Sequence, residues 1–159
     1  MSFRKLLRHE SILAVLLVLA LVASSNLSDR FLTIDNLLNQ GRMMTEAGII
    51  AVAMTFVITA GQIDLSVGAI VAFVAAMSAE LIQAGVDSSL VFVAAPVMGA
   101  AWGLVNGWLA AYQGSPPFIV TLATMSVIRG IALYRTEGFS VPVPADTYFA
   151  KLGTAEFLG

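Results

Sequence analysis

The chain contains five apolar runs, each close to the length that a helix needs to cross a lipid bilayer, with little charge between them. Of its 159 residues, 58% are hydrophobic and only 11% are charged. Soluble domains carry about 25% charged residues, so this chain has too few charges to cover a surface that faces water. A helix of about 20 apolar residues spans the hydrocarbon core of a bilayer. The sequence therefore predicts an all-α membrane protein, a polytopic transmembrane helix bundle of about five spans.

The predicted spans belong to one transmembrane domain over residues 1–159, which ends in an external segment at 136–159. They cover residues 11–28, 43–60, 65–84, 90–111 and 117–135. The first span could be a cleaved signal peptide, because a basic segment precedes it and small residues follow it. The spans that follow favour an uncleaved first helix. Arg4, Lys5 and Arg8 then predict a cytoplasmic N-terminus by the positive-inside rule.

The composition also excludes several kinds of chemistry. The chain has no cysteine and one histidine, so disulfides, thiolate metal sites and histidine-based zinc sites are not expected. No acid pair or histidine lies in a span, so we expect no intramembrane hydrolase, no catalytic residue and no metal site. The net charge of −2 gives no sign of a nucleic-acid partner. The expected surroundings are the lipid bilayer.

The stretch TAGQIDLSVGAI places a carboxylate between two apolar runs. Gly61, Gln62, Asp64, Ser66 and Gly68 form this motif, and its glycines predict a broken-helix junction near residues 61–68. Asp64 and Ser66 are then placed to cap the next helix, because side-chain oxygens near a helix N-terminus accept its unpaired N–H groups. Direct contact of Asp64 with a substrate is the alternative, since irregular backbone at membrane depth is tolerated where it lines a cavity. Capping is the favoured interpretation.

The fourth span carries a stripe of small residues. Gly99, Gly103 and Gly107 recur every fourth residue and so lie near one helix face. Such stripes let membrane helices approach closely, which predicts tight helix packing. Asn106, in the same span, is expected to hydrogen-bond a neighbouring helix.

The fifth span opens on two prolines. Gly114 is expected to end the preceding helix, Ser115 to cap the next one, and the prolines to form a rigid first turn. Arg129 lies about 18 Å along that helix, deep enough to need either snorkelling or a polar partner. The candidates for helix entry and for a transport pathway are Ser115, Pro116, Pro117, Thr121, Thr124 and Arg129.

Three ordered blocks resemble the ribose-type ABC transporter permease family. The blocks are FLTIDNLLN, ITAGQIDLSVGAIVAF and GLVNGWLAAYQGSPPFIVTLATMSVIRGIAL, and the likeness runs through most of residues 31–135. Gln62 replaces the usual second glycine of the family signature, and Ala123 stands where glycine is common. Members translocate ribose, xylose, rhamnose and related sugars, or autoinducer-2, across the bacterial inner membrane.

The resemblance implies a multi-pass permease subunit rather than an enzyme, and it implies several partners. These are a second permease chain, a periplasmic sugar-binding protein and a cytoplasmic ABC ATPase that binds the ATP. No cofactor is expected in this chain, since neither Lys5 nor Lys151 belongs to a phosphate-binding G-x-x-x-x-G-K-[ST] loop. Family members are about twice as long, so the chain is expected to be an N-terminal half that does not transport alone.

Two other functions remain open from the residues themselves. An ion-coupled secondary carrier would use Asp64 as its proton or cation site. A noncatalytic membrane scaffold would use the glycine stripe for association. Neither the particular sugar nor the choice between homodimer and heterodimer is predicted.

Overall fold

The described part of the chain, residues 9–147 and 150–151 of a computed structural model, is built from five long helices. They are α1 (His9–Leu27), α2 (Ile34–Thr59), α3 (Val67–Gln83), α4 (Ser88–Ala111) and α5 (Pro117–Thr136). No strand occurs among these residues, and the prediction of an all-α fold is confirmed. The basic residues that predict a cytoplasmic N-terminus, Arg4, Lys5 and Arg8, lie outside the described residues.

Four of the helices are long and apolar enough to cross a membrane, namely α1, α2, α4 and α5. The 17 residues of α3 rise only about 25 Å, which is less than the roughly 30 Å hydrocarbon core. Non-helical segments continue the chain at both ends of α3, at residues 60–66 and 84–87. The bundle therefore has four full-length helices and a short third one.

The helix α2 begins at Ile34, well before the predicted span at residue 43. Thr33 supplies the local cause, because its Oγ1 accepts a hydrogen bond from the N–H of Asn36 at 3.4 Å. With 26 residues, α2 rises about 39 Å and is longer than a hydrocarbon core. The first turns of α2 therefore include part of the polar connector that follows α1.

The chain separates into two compact units, one up to Val52 and the other from Ala53 onwards. In the first unit, the described side chains of α1 are all exposed or half-buried. The helix α2 likewise contains no buried residue. The apolar side chains of these helices are therefore free to contact lipid.

In the second unit, α3, α4 and α5 pack against one another in all three pairs. The buried apolar residues are Ala79, Val91, Val120 and Ile128, and the buried polar residues are Ser66, Ser78, Asn106, Thr121 and Thr124. The buried set therefore includes more polar than apolar side chains. This pattern is typical of membrane bundles, where lipid covers the apolar surface and interior hydrogen bonds join the helices.

Hydrogen bonds at both ends give the helix directions. Thr121, in the first turns of α5, contacts the Ile63 carbonyl just before α3, and Arg135 at the end of α5 pairs with Glu80 near the end of α3. The two helices are therefore parallel. Asn106, near the end of α4, contacts Ser66 at the start of α3, so α4 is antiparallel to α3.

Asp87 caps α4 from the loop that precedes this helix. Its Oδ1 accepts the N–H of Ser89 at 2.8 Å, and hydrogen bonds from the side chain and backbone of Ser89 lower the pKa of the Asp87 carboxyl. A carboxyl whose pKa is lowered by folding stabilises the fold above its unfolded pKa, and this contribution is lost as pH falls through the folded pKa.

We therefore expect Asp87→Ala to lower the midpoint of thermal unfolding at neutral pH and to have progressively less effect under acidic conditions. Asp87→Asn keeps an acceptor oxygen and should stay near the wild-type midpoint at neutral pH. Thermal scans of the purified chain in detergent at several pH values measure this. An Asp87→Ala deficit that stays constant down to pH values where carboxyls are protonated would contradict it.

Candidate functional site

The chain leaves α2 through a glycine in the left-handed conformation. Gly61 has φ +72°, which side chains with a Cβ rarely adopt. Its N–H donates to the Ile58 carbonyl at 2.9 Å, and the N–H of Gln62 donates to the Val57 carbonyl at 3.1 Å. This pair of bonds is a Schellman cap, which satisfies carbonyls at the helix end. Gly61 thus ends α2. Gln62 takes part in this cap through its backbone N–H, and the residue is exposed.

Asp64 and Ser66 form a tight turn just before α3. One carboxylate oxygen, Oδ1 of Asp64, accepts both the Ser66 N–H at 2.7 Å and the Ser66 hydroxyl at 2.6 Å. Ser66 is the N-cap residue by position, but its backbone is helical (φ −81°, ψ −15°) and its side chain accepts no helical N–H. The prediction that Ser66 caps α3 through its side chain is therefore wrong, because a side chain that accepts a helical N–H at this position needs non-helical backbone.

A third side chain reaches this turn from α4. Asn106 Nδ2 donates to the Ser66 Oγ at 2.8 Å, so hydrogen bonds run from the amide through the hydroxyl to the carboxylate. Ser66 is 0% exposed and Asn106 only 5%. Asn106 thus makes the predicted bond across the helices. Its Oδ1 is buried and has no hydrogen-bond partner among the described residues.

The threonines of α5 contact backbone rather than open space. The Thr121 hydroxyl lies 3.4 Å from both the Ile63 carbonyl and the Phe118 carbonyl. The Thr124 hydroxyl lies 3.0 Å from the Val120 carbonyl and 3.2 Å from that of Thr121. Thr121 therefore joins α5 to the junction, while Thr124 is satisfied within its own helix.

The entry into α5 differs by one residue from the prediction. Pro117 is the first helical residue, and Pro116 rather than Ser115 is at the N-cap position, where no side chain caps the helix. A proline disfavours helical backbone in the residue before it, and Pro116 accordingly has ψ 124°. Ser115 is thereby left outside the helix. Gly114, with φ +64°, lies in the turn after α4 as expected.

The glycine stripe of α4 contacts its neighbour at one position. A Cβ added at Gly99 would lie 3.7 Å from Cγ2 of Ile70 and 3.9 Å from Cγ2 of Val74, both on α3. A Cβ at Gly103 or Gly107 would meet nothing within 4 Å among the described atoms outside its own helix turn. The tight packing predicted for the stripe therefore occurs at Gly99, while the other two glycines face outward from this three-helix unit.

We expect Gly99→Ala to be tolerated, because the added methyl group would sit at ordinary van der Waals distance from α3. Gly99→Leu should lower the free energy of unfolding by about 1–3 kcal/mol, since the larger side chain overpacks the contact. Gly103→Leu is the matched control and should have little effect on the isolated chain. Reversible unfolding in mixed micelles measures all three, and equal losses at both positions would contradict the assignment.

Arg129 lines a groove between α3, α5 and the segment that follows α5. The groove has a volume of about 770 Å³, and its α3 wall contains Gly68 and several alanines. Arg129 is exposed, and neither an ion pair nor a hydrogen bond joins its side chain to another described residue. Of the polar candidates predicted for the fifth span, only Arg129 is exposed; Thr121 and Thr124 are buried and Ser115 is half-buried.

Sequence reasoning missed the contacts at the other end of α3. Arg135 donates through Nε and Nη2 to Glu80 Oε2 at 3.0 and 2.6 Å, and the Gln83 side chain donates to the Pro142 carbonyl at 3.0 Å. The opposite charges of Glu80 and Arg135 could have predicted this ion pair. Each residue lies within a turn of the C-terminal end of its helix, and the two helices are parallel. The ion pair joins the end of α5 to α3, and the Gln83 bond holds the segment after α5 against the end of α3.

Comparison with known proteins identifies the family to which the chain is similar. Residues 35–157, which include the junction and helices α3 to α5, match the family described as the branched-chain amino acid transport system / permease component. The chain is 42% identical over 144 residues to the ribose import permease protein RbsC of Bacillus subtilis (strain 168), covering 90% of this chain and 45% of that protein. No solved structure matches the chain.

Other curated relatives carry related names. The identity is 39% over 155 residues to the L-arabinose ABC transporter permease protein AraH of Azospirillum brasilense, covering 98% of this chain and 45% of that protein. It is 33% over 142 residues to the xylose transport system permease protein XylH of Escherichia coli (strain K12), covering 89% and 36%. The chain spans less than half the length of these relatives. By the extent of the family match, it belongs to the branched-chain amino acid transport system / permease component family.

Proposed function

We propose that the chain forms part of the membrane pathway of a binding-protein-dependent ABC importer for a sugar. The observation that carries the proposal is the match over residues 35–157, together with relatives named as permeases for ribose, L-arabinose and xylose. The helix lengths suit a multi-pass protein of the bacterial inner membrane. The N-terminus is proposed to be cytoplasmic and residues 136–159 external.

The proposed partners follow from the same class of importer. A cytoplasmic ABC ATPase would supply the energy, a periplasmic protein would deliver the sugar, and a second permease chain would complete the pathway. The choice of sugar is proposed to depend largely on the binding protein.

Asp64 is proposed to hold the junction rather than to carry an ion. Its Oδ1 already accepts two hydrogen bonds from Ser66, and Ser66 is tied to α4 through Asn106. A carboxylate used for ion coupling has to exchange its partners during the cycle, whereas this one is integrated into the turn that starts α3. This supports the importer over the secondary carrier.

A hybrid permease tests the proposal. RbsC of Escherichia coli (strain K12) is 38% identical to this chain over 146 residues. That segment would be replaced by this chain, in cells that lack their own RbsC. We expect uptake of radiolabelled ribose, and we expect it to disappear when the ribose-import ATPase or binding protein of the host is deleted. A hybrid that is inserted at wild-type level but transports none of ribose, L-arabinose or xylose would overturn the proposal.

A further inference from the structure

The groove beside Arg129, called here the α3–α5 groove, has walls of small and apolar residues. It is lined by Leu65 just before α3, by Gly68, Ala69, Ala72, Ala75, Ala76 and Ala79 on α3, and by Met125, Arg129, Ala132, Leu133 and Thr136 on α5. The α3 residues recur every three or four positions and so form one face of the helix. Between membrane helices, such a face allows close backbone approach. The shape therefore suits another helix.

The position of Arg129 specifies the chemistry of that helix. Arg129 lies about 18 Å beyond the start of α5 and about 10 Å before its end, so the C-terminal end is the nearer interface. Helix side chains lean towards the N-terminus, which directs the guanidinium away from that interface. An intramembrane cation is costly unless it is paired. The occupant of the groove therefore needs an acidic group at this depth.

We propose that the α3–α5 groove receives a transmembrane helix bearing an aspartate or glutamate that pairs with Arg129, supplied by the part of the family's length that this chain does not span. The curated relatives are more than twice as long as the aligned segment, which covers 45% of the B. subtilis protein. This source has ample sequence for another span. The inference rests on family membership and does not require that the proposed sugar transport be correct.

Two other anions fit the position less well. A lipid phosphate lies at the membrane interface, about 10 Å beyond the level of Arg129, and residues 138–141 and Val143 line the groove near that end of α5. Glu46, an acidic residue in the apolar run of α2, is the second candidate, since Glu80 already pairs with Arg135. It lies only three residues inside the apolar stretch that starts at Met43, so water and headgroups can solvate it without a partner.

The proposal is tested with two polypeptides expressed together. One is the full chain, and the other is the portion of B. subtilis RbsC that lies outside the aligned segment. The photo-crosslinker p-benzoylphenylalanine replaces Ala76 in the groove, or Val97 on an exposed part of α4 as the control. We expect irradiation of membranes to join the two polypeptides from position 76 and not from position 97. Adducts of position 76 with lipid alone, or with a second copy of this chain, would overturn the proposal.

Charge reversal identifies the partner of Arg129. We expect Arg129→Glu to reduce co-purification of the second polypeptide on the order of tenfold, and an acidic-to-lysine change in that polypeptide to restore it. Arg135→Glu combined with Glu80→Arg is the matched control, because the exchange keeps the ion pair between α5 and α3, and it should leave co-purification unchanged. Unchanged association of Arg129→Glu, or restoration by a change at Glu46, would overturn the proposal. Because the readout is association, a failure of sugar uptake in the hybrid would not affect it.

Discussion

Ser66→Ala is expected to lower the free energy of unfolding of the α3–α4–α5 unit by about 2–4 kcal/mol, a large effect for the loss of one oxygen atom. The hydroxyl donates to Asp64 and accepts from Asn106, with distances of 2.6 and 2.8 Å. Without it, the Asn106 amide has no partner among the described residues for either its nitrogen or its oxygen. A buried polar group left unpaired costs about 1–3 kcal/mol.

Replacing Asn106 by leucine in the Ser66→Ala chain is expected to recover about 1–2 kcal/mol, because it removes the unpaired donor and acceptor together. The measurement is a double-mutant cycle with reversible unfolding of the full chain in mixed micelles. Ser126→Ala is the control, since the Ser126 hydroxyl is exposed and bonds only its own helix, at the Leu122 carbonyl. A double variant less stable than Ser66→Ala alone would contradict this view of the junction.

Asp64→Ala and Asp64→Asn are expected to differ sharply in stability. The alanine variant loses both hydrogen bonds to Oδ1 and leaves the buried Ser66 N–H without an acceptor, at an expected cost of about 2–4 kcal/mol. Asparagine keeps an oxygen in the same place, so Asp64→Asn should cost less than about 1 kcal/mol. The same unfolding measurement compares them. Equal losses would mean that the charge of Asp64, rather than its acceptor oxygen, holds the turn.

The junction could be predicted from the sequence because its signals are local. A glycine at the end of an apolar run favours the left-handed cap that Gly61 adopts. Ser66 was assigned the wrong role because cap preferences consider only nearby N–H groups. Its actual donor, Asn106, lies 40 residues away, and only the packing of α4 against α3 brings the two together.

The glycines of α4 also show that local sequence signals do not identify contacts between helices. Spacing alone places Gly99, Gly103 and Gly107 on one face but does not say what each glycine meets. Only Gly99 contacts α3. At the entry of α5, the steric effect of Pro117 on Pro116 decided the helix start, although serine is the better cap by composition.

Asp64 is proposed to be a structural residue in an ATP-driven importer. Sugar uptake by the Asp64→Asn form of the hybrid permease is the most direct test of this role. The initial rate would be measured in cells with and without the ribose-import ATPase. We expect the variant to retain a rate within a few-fold of the unsubstituted hybrid, and we expect uptake to be lost without the ATPase. Uptake that continues without the ATPase, follows an imposed ion gradient and disappears in the Asp64→Asn variant would contradict it.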